Sequence, residues 1–364
     1  MELLIHAGLN KAGSSYAQEL LSYNYKKLLS SGIYYPSPNF ANSVAGSTAG
    51  NALALTMAIR AAELNYATDF LRSHASAAKN MNCSRLLLSN ESLYHDLVDN
   101  VKLANFSSVC TDSGITNTKI LLIFRDPISH AISAYNHRAG VLQVPPFVQW
   151  VRNGLSCEGA TYEKGVTGYE FWDEISRFHN NVKSFVNLGA EFAAYSSDIS
   201  SIIETFCGIS LEKPPLTKTN VSPNCVEAEL LRIIRDSHPD HVAKIRMRLK
   251  ELSMRQKAPD NYIRYQNQVA VYESCAEVET PLATIRELLG DELIGSRPVE
   301  SPTYLFDKSG EPYLLLSRAQ LELVISIFGP QPQGQNFFAR AKVRIAKALP
   351  SSMKSRIKVL WGRN

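Results

Sequence analysis

An α/β fold, with a parallel sheet covered by helices on both faces, is what this sequence predicts, and three observations carry it. Unbroken apolar runs recur at Leu3-Leu4-Ile5, Leu86-Leu87-Leu88 and Ile120-Leu-Leu-Ile-Phe124, without the alternation of a strand that keeps one face in water. Helix-period stretches lie between these runs, as parallel strands demand, because each crossover must bring the chain back to its starting edge. Each run also stops at residues fit for binding, at the strand end where open parallel sheets hold ligands.

The elements follow in order. After Leu3-Leu4-Ile5 the chain enters His6-Ala-Gly-Leu-Asn-Lys11-Ala-Gly13-Ser14-Ser15, and a helix is predicted from the three-and-four spacing of Ala17, Leu20, Leu21, Tyr25 and Leu28. Gly32 stands where a helix C-terminal glycine belongs. Ile33-Tyr34-Tyr35-Pro36 reads as a short strand closed by proline, and Pro38 to Ser47 as an exposed loop. Ala52 to Ala78 reads as helix, then Arg85–Ser89 and Lys119–Phe124 as buried strands. A helix opens at Pro127, where proline is tolerated in the first turn. Further on, Gly168 to Phe178 reads as an aromatic-rich core helix and Ala190 to Tyr195 as a fourth later strand. Val226 to Met254 reads as helix broken at Pro239.

Composition narrows the class. At 45% apolar and 20% charged, the 364 residues can bury a real core, and a net charge of +4 is too small to argue for nucleic acid. The six cysteines show neither Cys-x-x-Cys nor zinc spacing, so they read as thiols of a reducing compartment, and no metal site is expected. No leader precedes the first strand, and no run approaches the ~18 apolar residues of a membrane span. The expectation is a cytoplasmic protein of one domain over 1–330. Residues 335–364 stand apart: Arg340, Lys342, Arg344, Lys347, Lys354, Arg356, Lys358 and Arg363 occur without an acid, interleaved with apolar residues. Such a basic amphipathic segment can lie on an anionic inner-membrane surface or hold a polyanionic acceptor, and the other reading is a helical addition closing the domain with a solvated basic face.

Two motifs carry chemistry. Strand, glycine loop, helix aims backbone N–H groups and a positive helix end at an anion. Gly8 and Gly13 keep the Walker A spacing, but Ser14 stands where that motif has lysine, and Lys11 has moved forward into the loop. Such a P-loop-like cradle suits one terminal phosphate, with the lysine reaching the group beyond it. The second motif is Arg125-Asp126-Pro127, with Ser133 eight residues after the arginine and Tyr135 two further on. A guanidinium fork and a hydroxyl suit a phosphate monoester.

Both motifs resemble those of the sulfotransferases that use 3′-phosphoadenosine 5′-phosphosulfate. Asn10-Lys11-Ala12-Gly13-Ser14-Ser15 resembles that family's 5′-phosphosulfate loop, keeping lysine, glycine and both hydroxyls and losing its proline and first threonine. Arg125, Pro127 and Ser133 resemble its 3′-phosphate site. The resemblance implies a P-loop-NTPase-like fold and sulfonate transfer without metal to a hydroxyl or amine, with a carbohydrate or glycolipid as the acceptor favoured by analogy. It implies that Lys11, Ala12, Gly13, Ser14 and Ser15 hold the 5′ end, and that Arg125 and Ser133 hold the 3′-phosphate. It also implies a base at the end of the strand before the arginine motif, where Glu91 stands, with His95 in reserve; Asn39, at the family's other base position, cannot serve. Alternatives are a non-catalytic anion-binding module and an unusual P-loop kinase, which would require magnesium and ATP.

Overall fold

The computed structural model describes residues 1–8, 11–36, 50–125, 127–147, 149–150, 177–194, 198–215, 223–237, 239–255, 314–315 and 357–358. By contacts the chain divides into two compact units. The first holds the described residues of Met1–His130 and Gly168–Asn220, the second those of Ala131–Thr167, Val221–Glu277 and Ser296–Asn364.

The first unit is an α/β layer built on a five-stranded, all-parallel sheet. Its strands are β1 (Glu2–His6), β2 (Ile33–Tyr34), β3 (Arg85–Ser89), β4 (Asn117–Phe124) and β5 (Leu188–Ala194), in the order β2-β3-β1-β4-β5. Leu3, Leu4, Ile5, Leu86, Leu87, Leu88 and Ile120 to Phe124 are all buried. Successive strand residues point to opposite faces, so an unbroken buried run means that both faces are covered. Each of those side chains contributes about 1.5–3 kcal/mol by leaving water.

The first predicted helix is two. α1 (Ser14–Tyr23) and α2 (Tyr25–Ser30) part at Asn24, whose buried side chain donates to Leu20 O and Glu212 O and accepts from Glu212 N. A polar anchor to a segment nearly two hundred residues away overrides the apolar period. The alanine-rich stretch likewise divides into α3 (Leu53–Arg60) and α4 (Leu64–Asn80), turning at Ala62 with φ +57°. Then α5 (Leu93–Leu97) and α6 (Asn100–Asp112) lead to β4, with the Asp99 carboxylate capping α6 by accepting from Val101 N and Lys102 N. Asp96, buried on α5, is held by Arg60 at 2.9 Å and Lys102 at 2.8 Å.

α7 (Pro127–Ala139) opens at Pro127 as expected, and its residues from Ala131 onward belong to the second unit. There the Tyr135 ring packs edge-on against Phe147 and Trp150, and its hydroxyl donates to Pro145 O. The later helical stretch is Cys225–Ser237 and Val242–Arg255, separated by a 3₁₀ turn at Pro239–His241. Asn224 and Glu227 cap its start reciprocally, each backbone N–H bonding to the other's side chain.

Of 335–364 the structure describes only Ile357–Lys358, which pair in parallel with Leu314–Leu315. The expected helical additions there, the loop at 38–47 and the 168–176 part of the aromatic helix lie outside the described residues. Cys83, Cys110, Cys207 and Cys225 are buried and form no disulfide. Burial pushes the Cys110 and Cys207 thiols up to about 12, with Arg85 partly opposing it at Cys207. No helix among the described residues is long and apolar enough to cross a membrane.

Candidate functional site

The sheet order itself marks a crevice. From β1 the chain leaves toward β2 on one side, and from β4, the other neighbour of β1, it leaves toward β5 on the opposite side. Crossovers of one hand then place the two connections on opposite faces, so the loops beyond β1 and β4 diverge around a cleft. The glycine loop follows β1 and Arg125 follows β4. They meet there: the Arg125 guanidinium donates from Nη1 to the Lys11 carbonyl at 3.2 Å.

The loop has the backbone of an anion cradle. Gly8, Lys11 and Gly13 have φ of +41°, +66° and +86°. Left-handed backbone at Lys11, a non-glycine residue, costs on the order of 1 kcal/mol. α1 then starts with no side-chain cap, so its first N–H groups face the loop. Ala12 and Ser14 are buried, Lys11 and Gly13 half-buried, and Ser15 exposed. Leu9 and Asn10 lie outside the described residues.

Glu91 follows β3 and is half-buried. Its carboxylate accepts from Gln18 Nε2 at 2.7 Å and does not cap α5. Ahead of α5, Asn90 Oδ1 accepts from Ser92 N and from Thr56 Oγ1. Because Gln18 lies one helical turn beyond Ser14, this bond ties the candidate base to the helix that carries the cradle. His95 sits one turn further along α5, half-buried, with its ring edge-on to Tyr94 at 5.7 Å. The structure thus brings Lys11 to Ser15, Arg125 and, through Gln18, Glu91 to one end of the sheet. Ser133 is half-buried on α7 within the second unit.

Sequence reasoning assigned no role to His6, Gln18, Ser89 or Gly50. Parallel register sets His6 opposite Ser89, and His6 Nδ1 lies 2.9 Å from Ser89 Oγ. Gly50 passes so close to β3 that a Cβ there would stand 1.9 Å from Ser89 O and 3.0 Å from Gln18 Nε2. The available signals were a histidine ending an apolar strand and a glutamine beside Ala17, Leu20 and Leu21 on the buried helix face.

Burial lowers the His6 pKa to about 4, so the imidazole is neutral at pH 7. In the unfolded chain it titrates near its ordinary 6.5, so between those values the unfolded state binds more protons. His6 should therefore cost no stability above pH 6.5, with stability lost progressively as pH falls toward 4, by roughly 3 kcal/mol in total. Urea unfolding of the wild type and His6→Gln from about pH 4.5 to 7.5 tests this, with the shallower slope expected in the variant. Parallel slopes would reject a buried neutral imidazole.

Fold and site together define a class: a parallel α/β protein with a glycine loop and two cations at the carboxyl ends of neighbouring strands. Among family models, curated proteins and solved structures, nothing matches the chain.

Proposed function

We propose that the chain is a sulfotransferase moving the sulfonate of 3′-phosphoadenosine 5′-phosphosulfate to an acceptor hydroxyl or amine on a carbohydrate or glycolipid. One observation carries the reading: Lys11 and Arg125, 114 residues apart in sequence, converge on the same crevice. The placement of the glycine loop after the middle strand of a β2-β3-β1-β4-β5 sheet supports a P-loop-like arrangement.

In this reading the α1 N-terminus with Ala12, Gly13, Ser14 and Ser15 holds the 5′-phosphate, and Arg125 takes the 3′-phosphate that distinguishes this donor from ATP. The acceptor oxygen forms a new bond to sulfur while the bond from sulfur to the bridging oxygen breaks. That electron pair stays on the bridging oxygen, where the Lys11 ammonium neutralises it. The acceptor's proton passes to Glu91, held in place by Gln18, or to His95. The protein's contribution is alignment and charge compensation, and no metal is called for.

The same Arg125 bond also favours a second reading. A guanidinium engaged on the loop's own backbone suits a non-catalytic site for one compact anion. Titration calorimetry separates the two. Arg125→Ala should weaken adenosine 3′,5′-bisphosphate by about tenfold or more, as loss of a charge-assisted pair does, while adenosine 5′-monophosphate changes little. Equal losses for the two nucleotides would withdraw the 3′-phosphate role. Transfer of ³⁵S from the labelled donor to any species in a cell lysate would decide for catalysis, and anion binding without transfer would decide for the module.

A further inference from the structure

We infer that His6 is a further anion-binding residue of the glycine loop, a neutral donor locked by Ser89 with its Nε2–H turned toward the cradle. This rests on the loop being an anion site, not on the identity of the nucleotide.

The argument is a count of hydrogens. His6 is 1% exposed and Ser89 fully buried. Among the described residues the hydrogen bond of Ser89 Oγ is to His6 Nδ1, and a buried hydroxyl hydrogen needs an acceptor. Nδ1 is therefore the acceptor and carries no hydrogen. Since the ring is neutral, its hydrogen sits on Nε2. That nitrogen is buried and has no hydrogen-bond partner among the described residues. A buried donor left without an acceptor is destabilising, so the position calls for a partner.

The orphan has a direction. The point where a Gly8 Cβ would stand is 2.9 Å from His6 Nε2 and 3.0 Å from Ser14 Oγ. Nε2 thus underlies the loop between its first glycine and the first residue of α1, where the helix end is positive and Gly8 keeps the space clear of a side chain. The matching ligand group is an oxyanion of phosphate or sulfate type, which offers lone pairs and no hydrogen. A protonated histidine would add charge without selectivity; the neutral donor adds a directed bond whose strength is constant across neutral pH.

The test uses the whole chain with ¹⁵N-labelled histidine. Long-range ¹H–¹⁵N spectra report which ring nitrogen carries hydrogen, and His6→Gln identifies the resonances. Inorganic phosphate and adenosine 3′,5′-bisphosphate are titrated separately. The expected result is hydrogen on Nε2 in the free chain and a displaced Nε2 signal at saturation with either anion. His6→Gln, whose amide can stand where Nε2 stood, should keep phosphate affinity within about threefold, whereas His6→Leu should lose about tenfold. Hydrogen on Nδ1, or an Nε2 signal unmoved while calorimetry shows an anion bound, overturns the assignment. A response to phosphate with no binding of the bisphosphate upholds His6 and removes the nucleotide reading instead. Failure of both anions to bind removes both.

Discussion

Replacing Lys11 with Ala should cut sulfonate transfer by about a hundredfold or more while leaving the fold in place. The expected size follows from charge. As the sulfur–oxygen bond breaks, negative charge gathers on one bridging oxygen, and a cation aimed at that atom acts in the transition state far more than in the ground state. The ammonium of Lys11 is the loop group suited to this. On the backbone the substitution costs little. Lys11 is half-buried, and its φ of +66° strains alanine as much as lysine, so the substitution adds no new backbone penalty. The cradle's N–H groups survive it, and so does the residue 11 carbonyl that accepts from the Arg125 guanidinium. Single-turnover transfer from ³⁵S-labelled donor, with thermal unfolding as the control, gives the answer. Near-normal turnover in a folded variant would end the proposed role of Lys11, and equal loss of transfer and melting temperature would make the residue structural.

Gly50→Ala should be among the most damaging single substitutions outside the cradle, at about 4 kcal/mol. Two costs coincide there. A φ of +70° disfavours any side chain, and the added Cβ would fall 1.9 Å from the Ser89 carbonyl oxygen, a β3 backbone atom that cannot swing aside. Relief requires the loop to lift from β3, which loses the bond from Ala52 N to Ser89 O and the bond from Ser89 N to Asn51 Oδ1. Gly114→Ala is the internal control, since it has a φ of +76° with nothing within 4 Å, and should cost only about 1 kcal/mol. Denaturant midpoints of the two variants measure the difference. Similar midpoints would show that the Gly50 contact relaxes freely. Because Gly50 also lies against Gln18, a folded Gly50→Ala chain should report disturbance of Glu91 as well.

The central strands were readable because each carries a continuous apolar run, and a strand buried on both faces needs no other signal, whereas β5 holds Glu191 and is mostly half-buried. Predicted strands at Leu3-Leu4-Ile5, Ile33, Arg85–Ser89, Lys119–Phe124 and Ala190 all coincide with strands of the sheet. Helix breaks were less readable. Asn24 and Ala62 interrupt periods that run smoothly past them, Asn24 because its side chain bonds to Glu212, and Ala62 through a turn that no local glycine or proline announces.

By itself, then, the sequence determined the sheet's strands and the candidate residues at two of their ends. Local chemistry sufficed: apolar continuity makes a buried strand, and glycine, lysine and serine after it make a cradle. Strand order was left to tertiary structure, and with it the meeting of Lys11 with Arg125. So was the second layer of the site, in which Ser89 pairs with His6 and Gln18 with Glu91. Those pairings join residues 73 to 114 positions apart. A hydrogen bond across such a span depends on register and crossover, which only the folded sheet supplies.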